Sequence, residues 1–209
     1  MKEALFGGSF NPVHIGHLVI ARDVLESFHL DRIVFVPAKI QPLKGKLALP
    51  TSLRLKLLEA ATEDVEYFSV WDYEIRKNGV SYTVHTLKEY VRLKNKQPVF
   101  IMGSDSFSSF YRWKSPEEIL NIAKIIVVKR PESNLDVDKI LKKVGVRKKV
   151  KFSNIKEKNS LSEADIFILD GRLIEISSTE IRKRLGEKKD IRFLVPDSCF
   201  PLLKDFYSN

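Results

Sequence analysis

The sequence of 209 residues, with 44% hydrophobic and 30% charged side chains, predicts a single globular domain over 1–209 and excludes a disordered chain. It contains no run of about 18 apolar residues and starts with a predicted strand instead of a signal peptide, so we expect a cytoplasmic protein without a membrane partner. The single cysteine, Cys199, cannot form an internal disulfide, and no Cys/His pattern indicates structural metal.

The net charge of +9 fits two kinds of partner, nucleic acid or small polyanionic substrates. Much of the excess lies in the stretch 139–151, which holds seven basic residues and no acidic residue. No aromatic side chain lies among them to stack on bases, so we interpret this stretch as a solvated basic face. A nucleic-acid partner is therefore not expected.

The first predicted element is a strand at Ala4-Leu5-Phe6, which leads into the loop 7–14 and a helix over 15–28. Glycines that give way to a helix start provide unpaired N–H groups and the positive end of the helix dipole, which together suit an anion. His14 and His17 lie three residues apart, so both imidazoles can face one polyphosphate. Zinc would need a third ligand, which no histidine cluster supplies, and neither GxxxxGK[ST] nor GxGxxG is present.

A second strand is predicted over 33–37, which completes a strand-helix-strand unit and implies a parallel pair with a right-handed crossover. Ligands of such sheets bind at the carboxyl ends of the strands, so the loops 7–14 and 37–46 should share one rim. We expect an α/β fold with a Rossmann-like, mainly parallel sheet flanked by helices and a small helical C-terminal part.

Alternating apolar runs and helix-start signals predict the remaining elements. Strands are predicted at 65–75, 98–102, 124–130, 166–169 and 173–176, the last two bracketing a tight turn at Asp170-Gly171. Helices are predicted from Thr51 or Ser52, from Ser81 as the N-cap to about Asn95, from Ser115-Pro116, over 136–144, and over 196–206.

Two later stretches carry polar groups that could serve a ligand. Gly103 and Asp105 follow the strand 98–102 and would accept from ribose hydroxyls or cap the next helix. Ser177 and Ser178 open a helix with Arg182 one turn further on, which makes a second anion site with a fork-shaped cation suited to phosphate.

Two of these stretches, GGSFNPVHIGHL and ISSTEIR, resemble the signatures of bacterial nicotinate-nucleotide adenylyltransferases, within the HxGH nucleotidyltransferase superfamily. The resemblance implies catalytic roles for His14, His17 and Arg182. It implies ATP contacts from Gly7, Gly8, Ser9, Phe10, His14, His17, Gly103, Asp105, Ser177, Ser178 and Arg182, and mononucleotide contacts from Ser9, Lys44, Tyr82, Thr83 and Trp113. The family usually reads Pro-Pro-His-Lys where this chain has Gln41-Pro42-Leu43-Lys44, so the family's histidine is absent here.

The implied reaction is adenylyl transfer from ATP to nicotinate mononucleotide in NAD biosynthesis, with Mg²⁺ arriving on ATP and no metal site in the protein itself. The alternatives are a sister enzyme that acts on nicotinamide mononucleotide or phosphopantetheine, a nucleic-acid-binding module, and a synthetase fragment. Phosphopantetheine enzymes resemble only the two phosphate motifs, and no KMSKS-like segment supports a synthetase. The oligomeric state stays open, with a homo-oligomer as one option.

Overall fold

The computed structural model describes residues 1–43, 47–129 and 134–208, and its described strands form one seven-stranded sheet. The strand order is β3-β2-β1-β4-β5-β7-β6, and every pairing is parallel. The strands are β1 Glu3–Gly8, β2 Arg32–Pro37, β3 Phe68–Val70, β4 Val99–Gly103, β5 Lys124–Lys129, β6 Val150–Asn154 and β7 Ile166–Asp170. This confirms the expected α/β class.

Helices connect the strands and cover both faces of the sheet. They are α1 Ile15–Ser27, α2 Thr51–Thr62, α3 Tyr73–Arg76, α4 Thr83–Lys94, α5 Ser104–Ser108, α6 Pro116–Ile122, α7 Val137–Val144, α8 Ser178–Gly186 and α9 Phe200–Ser208, with short 3-10 turns at Phe110–Arg112 and Asp197–Cys199. In the described part of the chain, no helix combines the length and the apolar character that a membrane span requires.

The sheet separates two apolar layers because successive side chains of a strand point to opposite faces. Along β1, Phe6 belongs to the layer that α1, α2, α8 and α9 cover, and Leu5 belongs to the layer of α4, α5, α6 and α7. Runs such as Ile125 to Val128 are buried throughout, as expected for central parallel strands that are covered on both faces.

The order of strands reverses beside β1. The chain runs outward from β1 to β2 and β3, then returns to place β4 on the other side of β1. In parallel sheets of this kind a crevice opens at the carboxyl ends of the two strands that flank the reversal. The loop after Gly8 and the segment after Gly103 therefore lie at one rim. The loop after β2 lies at the same rim, because Gly8 pairs with Pro37, and this confirms the prediction that the loops after β1 and β2 share one rim.

Three predicted strand features are wrong. The strand expected over 65–75 is short, because α3 begins at Tyr73. Residues 173–176 form no strand, and Asp170-Gly171 is not a hairpin turn, since β7 pairs in parallel with both β5 and β6. The sequence also missed β6, which lies at the edge of the sheet with exposed positions, so its pattern lacks the apolar run of a central strand.

Candidate active site

The first motif forms the turn between β1 and α1. Its two glycines are needed for packing: a Cβ on Gly7 would lie 2.5 Å from the Phe100 ring, and one on Gly8 would lie 2.8 Å from the Phe10 ring. Phe10 is 2% exposed and packs edge-on against Phe6, so its side chain belongs to the core. The side chain of Phe10 is therefore not accessible to a ligand, and only its backbone could make the predicted ATP contact.

The two histidines of the motif are paired at the start of α1. His14 is the N-cap residue, and its ring centroid lies 3.7 Å from that of His17, with the planes 31° apart. The backbone N–H of His14 donates to Nδ1 of His17 at 3.2 Å. Because Nδ1 is the acceptor, a neutral His17 carries its proton on the other ring nitrogen, Nε2. The predicted shared face is confirmed.

The second motif meets the first at the same rim. The hydroxyl of Ser178 donates to the carbonyl of Pro12 at 2.8 Å, and Nη1 of Arg182 donates to the carbonyl of Asn11 at 2.6 Å. The hydroxyl of Ser177 instead accepts the N–H of Glu180 at 3.1 Å and so caps α8. The tertiary structure thus brings two motifs from opposite ends of the chain into direct contact.

Gly103 and Asp105 lie on the other side of the crevice. Gly103 ends β4 and is the N-cap residue of α5, and Asp105 is exposed in the first turn of that helix. Since β4 pairs with β1, both residues lie at the carboxyl rim that the two motifs share. This position is compatible with the predicted contacts to a nucleoside, for which Asp105 offers acceptor oxygens.

The residues predicted to hold the mononucleotide lie around the start of α4. Tyr82 is the N-cap residue of α4, Thr83 is its first helical residue, and Nζ of Lys114 lies 4.5 Å from the centre of the Tyr82 ring. Trp113, directly before Lys114, packs against Phe110 with ring centroids 5.3 Å apart. The structure therefore brings Tyr82 and the Trp113 segment together. Lys44 lies outside the described residues.

The predicted cap at Ser81 is wrong. Its hydroxyl accepts the N–H of Lys39 at 2.9 Å, and its own N–H donates to the carbonyl of Ile40 at 2.9 Å. Ser81 thus joins the loop after β2 to α4. The sequence gives no sign of this contact, because Lys39 and Ser81 are 42 positions apart. Ser115 is the N-cap residue of α6 as predicted, but Pro116 follows it and has no N–H to offer a ligand.

Comparison with known proteins agrees with this geometry. A family model described as cytidylyltransferase-like matches residues 5–184. The chain belongs to this family. A probable nicotinate-nucleotide adenylyltransferase of Aquifex aeolicus is 45% identical over 178 residues, which are 84% of this chain and 98% of the relative. One of Clostridium tetani is 33% identical over 207 residues, which are 98% and 97% of the two chains.

Solved structures show the same fold. The Plasmodium falciparum nicotinic acid mononucleotide adenylyltransferase complexed with NaAD aligns with a TM-score of 0.74 and 18% identity, covering 100% of this chain and 98% of that one. A putative nicotinate-nucleotide adenylyltransferase of Vibrio parahaemolyticus aligns with a TM-score of 0.62 and 23% identity over 97% and 99%. The family expected from the two motifs is confirmed, and with it the class of nucleotidyltransferases.

The site consists mainly of hydrogen-bond donors and cations. Within the residues that the structure describes, no three His, Cys, Asp or Glu side chains converge as a metal ligand set. Imidazoles, hydroxyls and a guanidinium suit phosphate oxygens, whereas Mg²⁺ prefers oxygen ligands from phosphates and water. These residues therefore fit a Mg²⁺ ion that is carried by the substrate's phosphates.

Sequence reasoning missed Glu74, which lies beside Tyr82. Thr86 donates its hydroxyl to Oε1 of Glu74 at 2.6 Å. Burial raises the pKa of Glu74, against the opposing effects of hydrogen bonds from Thr86 and Ser81 and of the Lys77 charge. Nothing in the sequence around Glu74 indicates this role, because its contact with Thr86 of α4 forms only in the folded chain.

His85 lies on the same side of α4, and its ring is 5.6 Å from that of Tyr82. Burial lowers the pKa of His85, and the nearby charges of Lys114, Lys77 and Lys88 lower it further. The nearby Glu118 charge opposes this shift, and the net effect disfavours the imidazolium form of His85 beside the predicted mononucleotide site.

Proposed function

We propose that this protein transfers the adenylyl group of ATP to nicotinate mononucleotide, giving nicotinate adenine dinucleotide and pyrophosphate as a step of NAD biosynthesis. The observation that carries the proposal is the contact between the two motifs. Ser178 and Arg182 on α8 hold the carbonyls of Pro12 and Asn11, next to the His14 N-cap. Two helix starts with their donors then face one polyphosphate.

In this reaction an oxygen of the mononucleotide's phosphate attacks the α-phosphorus of ATP in line. The new P–O bond joins the two nucleotides, and the bond to the bridging oxygen between the α- and β-phosphorus breaks, so pyrophosphate leaves. The nucleophile is already ionised, so the protein needs no covalent intermediate and no strong general base. Catalysis then rests on alignment and on neutralising charge as it develops.

Each motif has a part in that scheme. His14 and His17 stabilise charge on the α-phosphate and on the leaving pyrophosphate, and the hydrogen bond from the His14 backbone to Nδ1 fixes the His17 tautomer in which Nε2–H is a donor. The hydroxyl proton of Ser178 is donated to Pro12, so Ser178 binds the β- and γ-phosphates through its backbone N–H at the start of α8, together with the guanidinium of Arg182. The segment of Gly103 and Asp105 holds the nucleoside.

We expect the pyridine ring to bind at the start of α4. Trp113 supplies a face for stacking, and Thr83, at the first helical position, supplies N–H and hydroxyl donors for the ring's carboxylate. The ammonium of Lys114 beside Tyr82 adds positive charge at this end of the site. Because Pro116 removes a donor from the start of α6, we assign the carboxylate to α4 rather than to α6.

We expect Mg²⁺ to be carried by ATP, coordinated by phosphate oxygens and water. When bound it would neutralise phosphate charge and favour departure of pyrophosphate. ATP and the mononucleotide are the expected partners, and the cytoplasm is the expected location. We expect no nucleic-acid partner, because no aromatic residue lies within the basic stretch to stack on bases, and the Tyr111 ring outside it has the ammonium of Lys143 4.1 Å from its centre.

The test is turnover of ATP by the purified protein with each candidate acceptor in turn: nicotinate mononucleotide, nicotinamide mononucleotide and phosphopantetheine. We expect pyrophosphate and a dinucleotide with the first acceptor, and retention of RNA on filters no greater than for a neutral control protein. Absence of pyrophosphate release with every acceptor, at saturating MgATP, would overturn the proposal. Release with phosphopantetheine alone would replace it with the sister activity.

A further inference from the structure

The guanidinium of Arg54 lies beneath the rim of the sheet. Arg54 belongs to α2, a helix with four leucines, and it is nevertheless among the largest fully buried side chains at 0% exposure. Arginine is seldom buried to this degree without a charged partner. The hydrogen-bond partners of the buried guanidinium therefore indicate the role of Arg54.

The guanidinium joins two loops of the active-site rim. Nη1 donates to the carbonyl oxygen of Ser9 at 2.6 Å, in the loop after β1, and Nη2 donates to the carbonyl oxygen of Lys39 at 3.2 Å, in the loop after β2. Nη2 also lies 3.3 Å from the hydroxyl of Thr51. A planar fork spans two acceptors in fixed directions, which a single ammonium group cannot reproduce.

These acceptors are neutral, so the charge of Arg54 is not balanced by the contacts that hold it. Across the described residues no carboxylate forms an ion pair with Arg54, and its Nε has no acceptor. Burial lowers the pKa of Arg54, yet a guanidinium stays protonated at neutral pH. A buried cation of this kind is costly unless an opposite charge compensates it. Bound polyphosphate at the adjacent loop would supply that charge.

Arg54 also completes a pattern in the loop after β1. The carbonyl of Ser9 is held by Arg54, that of Asn11 by Arg182 and that of Pro12 by Ser178. A carbonyl oxygen that faced the crevice would repel a phosphate, and these three are engaged by the protein instead. The two arginines therefore hold the loop from α2 on one side and from α8 on the other.

We propose that Arg54 is a positioning residue for adenylyl transfer, which fixes the loop after β1 against the loop after β2 and places an unbalanced positive charge behind the phosphates. The inference rests on the proposed function. Arg54 acts through the backbone of Ser9 and Lys39 and not by contact with the substrate. The loop after β2 also carries Gln41, whose Oε1 accepts the Ser9 hydroxyl at 3.0 Å, so the two loops are tied by side chains as well.

The test compares Arg54→Met and Arg54→Lys with the wild-type protein, in kcat and in KM for each substrate. We expect kcat to fall about 100-fold in Arg54→Met, since a small displacement of groups that align the reaction costs about that much. Arg54→Lys retains the charge without the fork, so we expect a fall of about tenfold. Arg32→Met is the matched control: it removes a partly buried arginine from the amino end of β2, away from the rim, and should leave kcat unchanged.

Chemical rescue separates positioning from a merely structural role. In Arg54→Ala, guanidinium ions at concentrations too low to unfold the protein should restore part of kcat, whereas ammonium at the same ionic strength should not. Thermal melts of each variant show how much protein is folded. Binding of inorganic pyrophosphate should weaken more in Arg54→Met than in Arg54→Lys, because only the former loses the charge.

The outcomes are distinguishable. A wild-type protein that makes no dinucleotide overturns the proposed function. A wild-type protein that is active, with Arg54→Met near its kcat, overturns only this inference. A loss of activity that merely follows the unfolded fraction, with no guanidinium rescue in Arg54→Ala, overturns it as well. If the Met and Ala variants do not fold, Arg54→Lys decides the question. A folded Lys variant with wild-type kcat would show that the two-pronged guanidinium contact is not needed, and this would overturn the inference.

Discussion

Nη1 of Arg182 donates to the carbonyl oxygen of Asn11 at 2.6 Å across a sequence separation of 171 residues. Its Nη2 lies 3.2 Å from the hydroxyl of Thr179, one turn earlier on α8. One arginine therefore orders the loop of the first motif while it belongs to the second. A substitution at this position should disturb both motifs together.

Arg182→Lys keeps the charge and removes the two-pronged donor. We expect kcat/KM for ATP to fall about tenfold or more, because a bidentate contact becomes a point charge and the Asn11 carbonyl loses its partner. Steady-state kinetics at saturating mononucleotide measure this. Lys183→Ala is the control, since Lys183 is 74% exposed on the same helix. Equal efficiencies for Arg182→Lys and wild type would remove Arg182 from the ATP site.

His17→Ala should lower kcat about 100-fold or more, because loss of one preorganised donor to a developing oxyanion costs about 3 kcal/mol. The fold should survive, since the neighbouring Phe10 ring, 5.1 Å from that of His17, stays anchored on Phe6. His29→Asn is the control: His29 is exposed in a left-handed conformation that asparagine tolerates, at the far end of α1. Near wild-type kcat with an unchanged melting temperature would show that His17 is not the donor.

The third prediction is a preference for nicotinate mononucleotide over the amide. Donors at the start of α4 and the charge of Lys114 favour a carboxylate, whereas an amide adds N–H groups that meet other donors. Sites built around specific hydrogen bonds discriminate by about 3 kcal/mol, roughly 100-fold. We expect at least that ratio in kcat/KM at matched ATP. Equal efficiencies would reject the substrate assignment and leave adenylyl transfer standing.

Two variants test separately the stacking by Trp113 and the hydrogen bond from Thr83 to the carboxylate. Trp113→Ala removes the stacking face and should lower kcat/KM for both mononucleotides alike. Thr83→Val removes a hydroxyl and keeps the shape of the side chain, so it should lower mainly the efficiency with the acid. If Thr83→Val affects both substrates equally, the carboxylate does not lie at the start of α4.

The fourth prediction concerns pH. Burial raises the pKa of Glu74, so the native protein keeps this proton at pH values where the unfolded chain has released it. Stability contributed by this group is complete below the ordinary glutamate pKa and is lost as the pH rises towards the raised one. Glu74→Gln does not titrate and still accepts from Thr86. Its melting temperature relative to wild type should therefore increase between acidic and neutral pH.

Melting curves of both proteins over a pH series measure that difference. Glu63→Gln, at an exposed position after α2, is the control for loss of a carboxylate without burial. A difference between Glu74→Gln and wild type that stays constant with pH would contradict the assignment of a buried, titrating carboxyl.

The sequence by itself determined the two phosphate motifs, the parallel α/β class and the rim at which the loops after β1 and β2 lie. These follow from local signals, since a strand that ends in glycines before a helix start makes an anion site wherever it occurs. The pairing of His14 with His17 belongs to this group, because the side chains of an N-cap residue and of the third helical residue lie on the same side of a helix start. The shared family motifs added the substrates.

The tertiary structure alone decided which distant groups meet. Arg54 lies in a leucine-rich helix and Ser81 resembles a cap, yet both bind the loop after β2, through Lys39. Gly7 and Gly8 were predicted as ATP contacts, and the structure shows that the lack of a side chain at these positions makes space for the Phe100 and Phe10 rings. The physical reason is common to all four. A local sequence pattern indicates which secondary structure a residue favours and which groups it can donate or accept. Its actual hydrogen-bond partner and its burial depend on which elements pack against it.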